Sequence, residues 1–411
     1  MDVERPLRPV WEHDALDRAR RALAEHDEQV LATQIAVSEI PAPTGEEGPR
    51  ALWIAARFRA LGLRDVRIDE AGNVIGRRAG TADGPPVVVC AHLDTVFPRD
   101  TDVRVARDGS RLHGPGIGDN GRGLAALLAL AGAIDGRSLR THSPIDFVAT
   151  TGEEGAGDLR GAKYLFSNGA AQARAAIAID GAGDERIVHR ALGSRRYRIA
   201  FRGVGGHSWT AFGVANPVHA AAITAAKLAR IVLPSGPRTT LSVSRVGGGM
   251  AVNAIPEDGW LEVDLRSLSA QLLAKLEREI RAAAQAAELE ENERRVRSSA
   301  PLTMAFTTIG DRPSGETAAD HPLVALAVEA TRLIRREPEL ATASTDANVP
   351  ISHGIPAIAI GAGGRGGDAH TVSEWFDNTD GALGIARALG IVVGAAGIAA
   401  GESGREVTRV E

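Results

Sequence analysis

The feature that most constrains this chain is the stretch at residues 87–94, Val-Val-Val-Cys-Ala-His-Leu-Asp. Two prolines precede it, and the apolar run continues unbroken to Ala91 before ending in His92 and Asp94. A run without polar alternation predicts a strand buried on both faces, as in a parallel sheet. In open α/β sheets, ligands bind beyond the carboxyl ends of the strands. His92 and Asp94 alternate with Leu93, so both should point to one side of the chain. An imidazole that holds a metal needs its second ring nitrogen supported, usually by a carboxylate. His-x-Asp offers a ligand and its support together. Cys90, the only cysteine, shares a strand face with His92. Among apolar neighbours it reads as a buried strand residue rather than a soft ligand.

The rest of the chain alternates between similar strands and helices. Apolar runs at 145–150, 175–179 and 355–360 read as further strands, and 65–77 as a hairpin turning at Gly72-Asn73. Helical spacing covers 14–39, 46–61, 122–134, 159–168, 321–335 and 382–400. This alternation argues for an α/β domain with a mostly parallel central sheet flanked by helices. The pattern changes after about residue 193. Strands at 195–202, 241–246, 259–266 and 295–308 enclose helices at 215–232 and 268–290. The order β-α-β-β-α-β is that of a ferredoxin-like α+β domain. The expected organisation is a catalytic domain in two parts, 1–193 and 311–411, with a lid or dimerisation domain inserted at 194–310.

With 411 residues the chain is too long for one simple core, which agrees with two domains. A net charge of −5 and the absence of Lys/Arg runs give no reason to expect a nucleic-acid partner. One cysteine excludes an intrachain disulfide framework and a Cys-based zinc motif. Residues 1–21 are charged throughout, and no stretch reads as a membrane span, so the expected location is the cytoplasm. The last residues, 402–411, are polar and read as a frayed tail.

Polar residues punctuate the chain where apolar elements end: His92 and Asp94, Asp119, Glu153 and Glu154, Asp180, and His370. Singly, each is ordinary. Together, they could be brought to one rim by one sheet. Two imidazoles and several carboxylates without thiolate suit a pair of zinc or similar divalent ions. Such ions lie ~3.5–4 Å apart and clamp the attacking and leaving oxygens. One carboxylate must bridge them, and one left uncommitted must move protons. Residues 116–121, Gly-Ile-Gly-Asp-Asn-Gly, also fit a dinucleotide-binding pattern. Asp119 would then place negative charge against the pyrophosphate, and no long buried strand feeds the loop, so that reading is set aside. Glu46 and Glu47 read as the opening of a helix capped by Thr44. His113, His142, His189, His219, His321 and His353 have no motif around them and read as structural.

The ordered set His92-Leu-Asp94, Gly118-Asp119-Asn120, Glu153-Glu154, Asp180, Gly205-Gly206-His207-Ser208, Asp264-Leu-Arg266 and Ala369-His370-Thr371 resembles the M20 family of metallopeptidases and deacylases. Within it, the peptidase T-like branch of di- and tripeptidases is the most similar. The likeness covers nearly the whole chain, the inserted domain included. It implies two divalent ions per chain, most simply zinc, with cobalt or manganese as substitutes. His92 and Asp180 would hold one ion, Glu154 and His370 the other, and Asp119 would bridge them. Asp94 would orient His92, and Glu153 would be the general base. The Asp119–Asn120 peptide is often cis in this family. The resemblance also implies a homodimer through the lid, with His207 reaching the neighbouring site to stabilise the oxyanion. Arg266 would grip a substrate carboxylate, with Asn253 supporting the same end. Asn348 lies near the metal rim by the same analogy. Asp at 180 resembles the aminopeptidase and dipeptidase branch, Glu being commoner in carboxypeptidases and deacylases. The implied substrate is therefore a small peptide, with an N-acyl amino acid as the alternative.

Overall fold

The computed structural model describes residues 7–168 and 172–399, which fall into two compact units, Leu192–Gly315 and the remainder. The expectation of a frayed tail at 402–411 lies outside the described residues.

In the larger unit the run at 87–94 contributes the strand Val87–His92, buried along its whole length. It lies between two parallel neighbours, Ile145–Thr150 and Ala175–Ile179. Ala357–Ile360 then extends the parallel set beside Ala175–Ile179. Outside this parallel centre the sheet turns antiparallel. Val74–Arg78 and Arg64–Ile68 flank one side, and Arg186–Ala191 the other. Glu339–Ala343 closes the far edge, parallel to Arg186–Ala191. The sheet is therefore mixed, with its parallel strands in the middle where burial is greatest.

The unbroken apolar runs are explained by two cores, one on each face of the sheet. Val87, Val89 and Ala91 pack with residues of the helices Asp14–Glu25, Gly123–Ala133 and Gly381–Ala396. Val88 and Cys90 pack on the opposite face with Ala162, Leu165 and Phe166 of the helix Arg160–Asn168. Helix Gly123–Ala133 carries no polar side chain, as expected of a helix enclosed by protein. Because the central strands run parallel, their carboxyl ends share one rim, and His92, Thr150, Ile179 and Ile360 end them there.

The smaller unit has strands Gly193–Arg202, Thr239–Gly248, Asp258–Ser267 and Thr303–Arg312 and helices Pro217–Leu228 and Ala270–Arg294. In space the strands lie in the order second, third, first, fourth, all antiparallel. That is the ferredoxin-like arrangement. Tyr197, Ile199, Phe201, Leu261, Val263 and Leu265 supply its core, and the helices add Ala220, Leu273, Leu276 and Ile280.

Residues 342–353 contain the end of strand Glu339–Ala343 and a short helix, Asn348–Ser352. The helix expected at 46–61 is Gly48–Ala60, and Thr44 does not cap it. The Thr44 hydroxyl instead donates to Asp94 at 2.8 Å, and Gly45, at φ +93°, turns the chain before the helix begins. The helix expected at 382–400 is Gly381–Ala396. No helix among the described residues is long and apolar enough to cross a membrane.

Candidate metal centre

His92 ends its strand with Nε2 2.9 Å from Asp119 Oδ1 and 3.8 Å from Asp180 Oδ1. Its Nδ1 faces the Asp94 main-chain oxygen at 3.0 Å, with the Asp94 carboxylate behind it at 3.6 Å. The ring is thus fixed through Nδ1, leaving Nε2 aimed into the cluster. The Asp94 carboxylate also accepts the N–H groups of Glu153 and Glu154 at 2.9 and 3.0 Å. One buried side chain therefore seats both the imidazole and the Glu-Glu pair. Burial opposes ionisation of Asp94, but His92 and those two N–H groups outweigh it and hold the carboxyl at about 2.

Asp119 occupies the middle. Its Oδ1 faces His92, and its Oδ2 lies 3.1 Å from His370 Nε2. His370 Nε2 is also 2.8 Å from Glu154 Oε1. His370 sits in the left-handed region at φ +66°, a conformation that non-glycine side chains adopt only when their surroundings hold them there. The Asp119–Asn120 peptide is cis. Asn120 staples the turn to the sheet: its side chain donates to the Ile179 oxygen at 2.8 Å and accepts from Gly123 and Gly181 at 3.1 Å. Asp180 is thereby held directly opposite the turn that carries Asp119.

Potential ligand atoms of three sets, His92/Asp119/Asp180, Asp119/Glu154/His370 and His92/Glu153/Glu154, each lie within 4.8 Å of one another. Five carboxylates, counting Asp94 and Glu153, surround two imidazoles. Buried negative charge of this density calls for compensating cations. The surroundings respond accordingly. Burial favours a neutral His92 ring, yet Asp119, Asp180 and Asp94 push its pKa well up. His370 is raised to about 9 by its hydrogen bond to Asp119, burial notwithstanding. Mixed imidazole and carboxylate donors, with both oxygens of one carboxylate facing different imidazoles, fit a pair of zinc-like divalent ions.

Cys90 stays out of the cluster: it is buried in the sheet, and burial pushes its thiol well above the ordinary value. Asn348 is buried, its side-chain oxygen accepting the Thr345 N–H at 3.0 Å. Residues 116–121 are not fed by a long buried strand; the short strand Arg111–His113 comes before them.

His207, Asn253 and Arg266 belong to the smaller unit. His207 is exposed on the two-residue strand Gly206–His207, paired with Ala254–Ile255. The Ser208 N–H donates to the Asn253 oxygen at 3.0 Å, so Asn253 lies beside the residue that follows His207. A Cβ at Gly205 would lie 2.5 Å from Glu257 Cγ, and one at Gly206 2.5 Å from Ala211 Cβ. Arg266, on strand Asp258–Ser267, donates through Nε to Asp264 at 2.8 Å, and Asp264 also accepts from Arg196.

Buried carboxylates that were not singled out in the sequence as part of the site include Asp346, which accepts from the Thr150 hydroxyl, Glu47 and Glu374. Glu47 accepts the N–H of Gly152, next to Glu153, and is paired with Arg160. Glu374 accepts the N–H groups of Gly116, Gly118 and Asp119. Its own position, four residues after His370, was the signal available.

An α/β unit whose parallel strand ends and adjoining turns gather two imidazoles and several carboxylates, interrupted in sequence by a ferredoxin-like unit, is a metallohydrolase scaffold. The chain belongs to peptidase family M20/M25/M40, whose sequence profile matches residues 88–392. It is accordingly a hydrolase of peptide or amide bonds. An uncharacterized protein of Bacillus subtilis, YqjE, is 26% identical over 378 residues, covering 85% of this chain and 93% of its own. Succinyl-diaminopimelate desuccinylase of Nitrosospira multiformis is 24% identical over 377 residues, 86% of this chain and 94% of its own. A tripeptidase of Staphylococcus aureus superposes with a TM-score of 0.73 at 24% identity, covering 90% of this chain and 98% of its own.

Proposed function

We propose that the chain is a dinuclear metal-dependent peptidase that removes the N-terminal residue from di- and tripeptides. The observation that carries the reading is Asp119, whose two oxygens face His92 and His370 at 2.9 and 3.1 Å. A carboxylate so placed is suited to bridge two ions. His92 and Asp180 would hold one, and Glu154 and His370 the other, with zinc as the simplest occupant. Bound divalent ions polarise a carbonyl and lower the pKa of water towards ~7.

The side chains supply the rest. Glu153 is buried beside Glu154, its main chain fixed by Asp94. It takes the proton of the attacking water and returns it to the leaving amine. His207 of the partner subunit in a homodimer donates to the oxyanion as it forms, where a preplaced donor is most effective. Arg266 receives the carboxylate end of a short peptide, for which its planar fork is suited, and Asn253 supports the same end.

The full-length structural likeness to a tripeptidase supports a peptide substrate. A second reading, hydrolysis of N-acyl amino acids, is favoured by the full-length sequence likeness to a desuccinylase. The two differ in whether the substrate amine is free. Comparing kcat/KM for a tripeptide and its N-acetylated form, with zinc, cobalt or manganese supplied, decides between them. The proposal expects the free peptide to be the better substrate by at least tenfold. A clear preference for the blocked compound would replace it with the deacylase reading.

A further inference from the structure

Glu374 is almost fully buried, and its carboxylate lies inside a cradle of main-chain N–H groups. Oε2 accepts from Gly116 at 2.7 Å, and Oε1 accepts from Gly118 at 2.9 Å and Asp119 at 2.8 Å. Successive N–H groups converging in a turn form a natural anion site. Here the anion is the protein's own side chain, brought from more than 250 positions away in the sequence. The fit is close: a Cβ at Gly118 would stand 3.1 Å from Glu374 Oε1. The main chain adds to the tie. The Gly114 N–H donates to the Glu374 oxygen at 3.0 Å, and the next residue, Trp375, pairs with His113 in a small antiparallel sheet.

The placement has a consequence for the cluster. Glu374 follows His370 by four residues, joined to it through a turn in which the Glu374 N–H donates to the Thr371 oxygen. The same short segment thus carries His370 and grips the amide of Asp119. Neither His370 nor Asp119 lies within a long helix or strand, and the Glu374 carboxylate is a direct side-chain link between their segments.

We propose that Glu374 is a positioning residue of the metal centre, locking the Asp119 turn to the His370 segment so that Asp119 can bridge. This rests on the reading of Asp119 and His370 as ligands, and it adds a side chain that touches neither ion nor substrate. Glutamine at this position keeps one accepting oxygen and sets an amide donor against N–H groups; alanine leaves all three unpaired. Losing a support of this kind typically costs ~10–100-fold in metal affinity.

The test is titration of the metal-free full chain with zinc, followed calorimetrically, and with cobalt, followed by its visible spectrum. Asp146→Asn is the control, because Asp146 is also buried and charge-paired, at 2.6 Å to Arg77, but lies away from the cluster. The expected result is about tenfold weaker binding in Glu374→Gln and about a hundredfold in Glu374→Ala, with an altered cobalt spectrum. Asp146→Asn should lower the melting temperature while leaving affinity and spectrum unchanged. If Glu374→Ala does not fold, Glu374→Gln decides. Wild-type affinity and spectrum in a folded Glu374 variant would overturn the proposal alone. A wild-type chain that binds no metal would overturn the metal-centre reading with it.

Discussion

Asp119 is flanked by two imidazoles, one on each oxygen, and Glu153 lies in a group with His92 and Glu154. The proposal makes Asp119 a ligand and Glu153 a proton carrier, and substitution should expose that difference. Glu153→Gln keeps the volume and a potential donor atom but cannot carry a proton. It should retain both metal ions and lose about 10²–10⁴-fold in kcat. Metal analysis beside steady-state kinetics checks this, and near-normal turnover would remove Glu153 from its role. His92 and Asp180 were legible as candidate ligands because each stands where an apolar strand stops, His92 after Val-Val-Val-Cys-Ala and Asp180 after Ala-Ala-Ile-Ala-Ile. Glu374 and Glu47 were not, because what ties them to the site is main-chain amides, those of Gly116, Gly118 and Asp119 for Glu374 and that of Gly152 for Glu47. No residue type in the sequence marks an amide as waiting for a carboxylate. The buried arginines were hidden for a similar reason. Arg50 donates to the oxygens of Ser38, Ile40 and Leu93, and Arg122 to those of Ala362 and Gly381. Burial draws both guanidinium groups down to about 10.

At the scale of elements, the helix Gly123–Ala133 must start hard against the turn that carries Asp119. A Cβ at Gly123 would lie 2.0 Å from Asn120 Oδ1 and 2.7 Å from the Ile179 oxygen. Alanine there is favourable for a helix in isolation, yet it would drive Asn120 off the Ile179 strand end. Gly123→Ala should therefore destabilise the fold by about 1–3 kcal/mol and weaken metal binding as Asp119 and Asp180 separate. Urea unfolding and a metal titration measure both effects; equal or greater stability would show that the contact is not limiting. The central strands and main helices were readable from periodicity, since the buried parallel strands are mostly apolar and four to six residues long. Strand Arg186–Ala191 escaped notice because His189 and its arginines interrupt the apolar pattern. The small sheet of Ala106–Asp108, Arg111–His113, Arg365–Gly367 and Trp375–Asp377 escaped for another reason. Strands of three residues carry no usable period. The Thr44 cap failed on competition, because Thr-Gly-Glu-Glu has the composition of a helix start, but the hydroxyl is taken by Asp94.

In the whole molecule, the residues proposed for the metals all lie in one unit, and those proposed for the substrate lie in the other. This division makes subunit sharing testable. Chains carrying His207→Ala keep Glu153, and chains carrying Glu153→Gln keep His207. If His207 serves the neighbouring site, mixing the two inactive proteins with free exchange should restore about a quarter of wild-type activity, one working site in each mixed dimer. No recovery despite demonstrated exchange would confine His207 to its own chain. The ferredoxin-like unit was legible from the order of its elements, but its role depends on surfaces that periodicity does not describe. The account as a whole depends on two ions held by five side chains of the larger unit. Its most direct test is the metal stoichiometry of the full chain, purified metal-free and titrated with zinc, beside the same titration of Asp119→Ala. The account predicts two ions bound per wild-type chain, and loss of tight binding at both sites once the bridge is removed. A single ion per wild-type chain, or two ions retained tightly without Asp119, would contradict it.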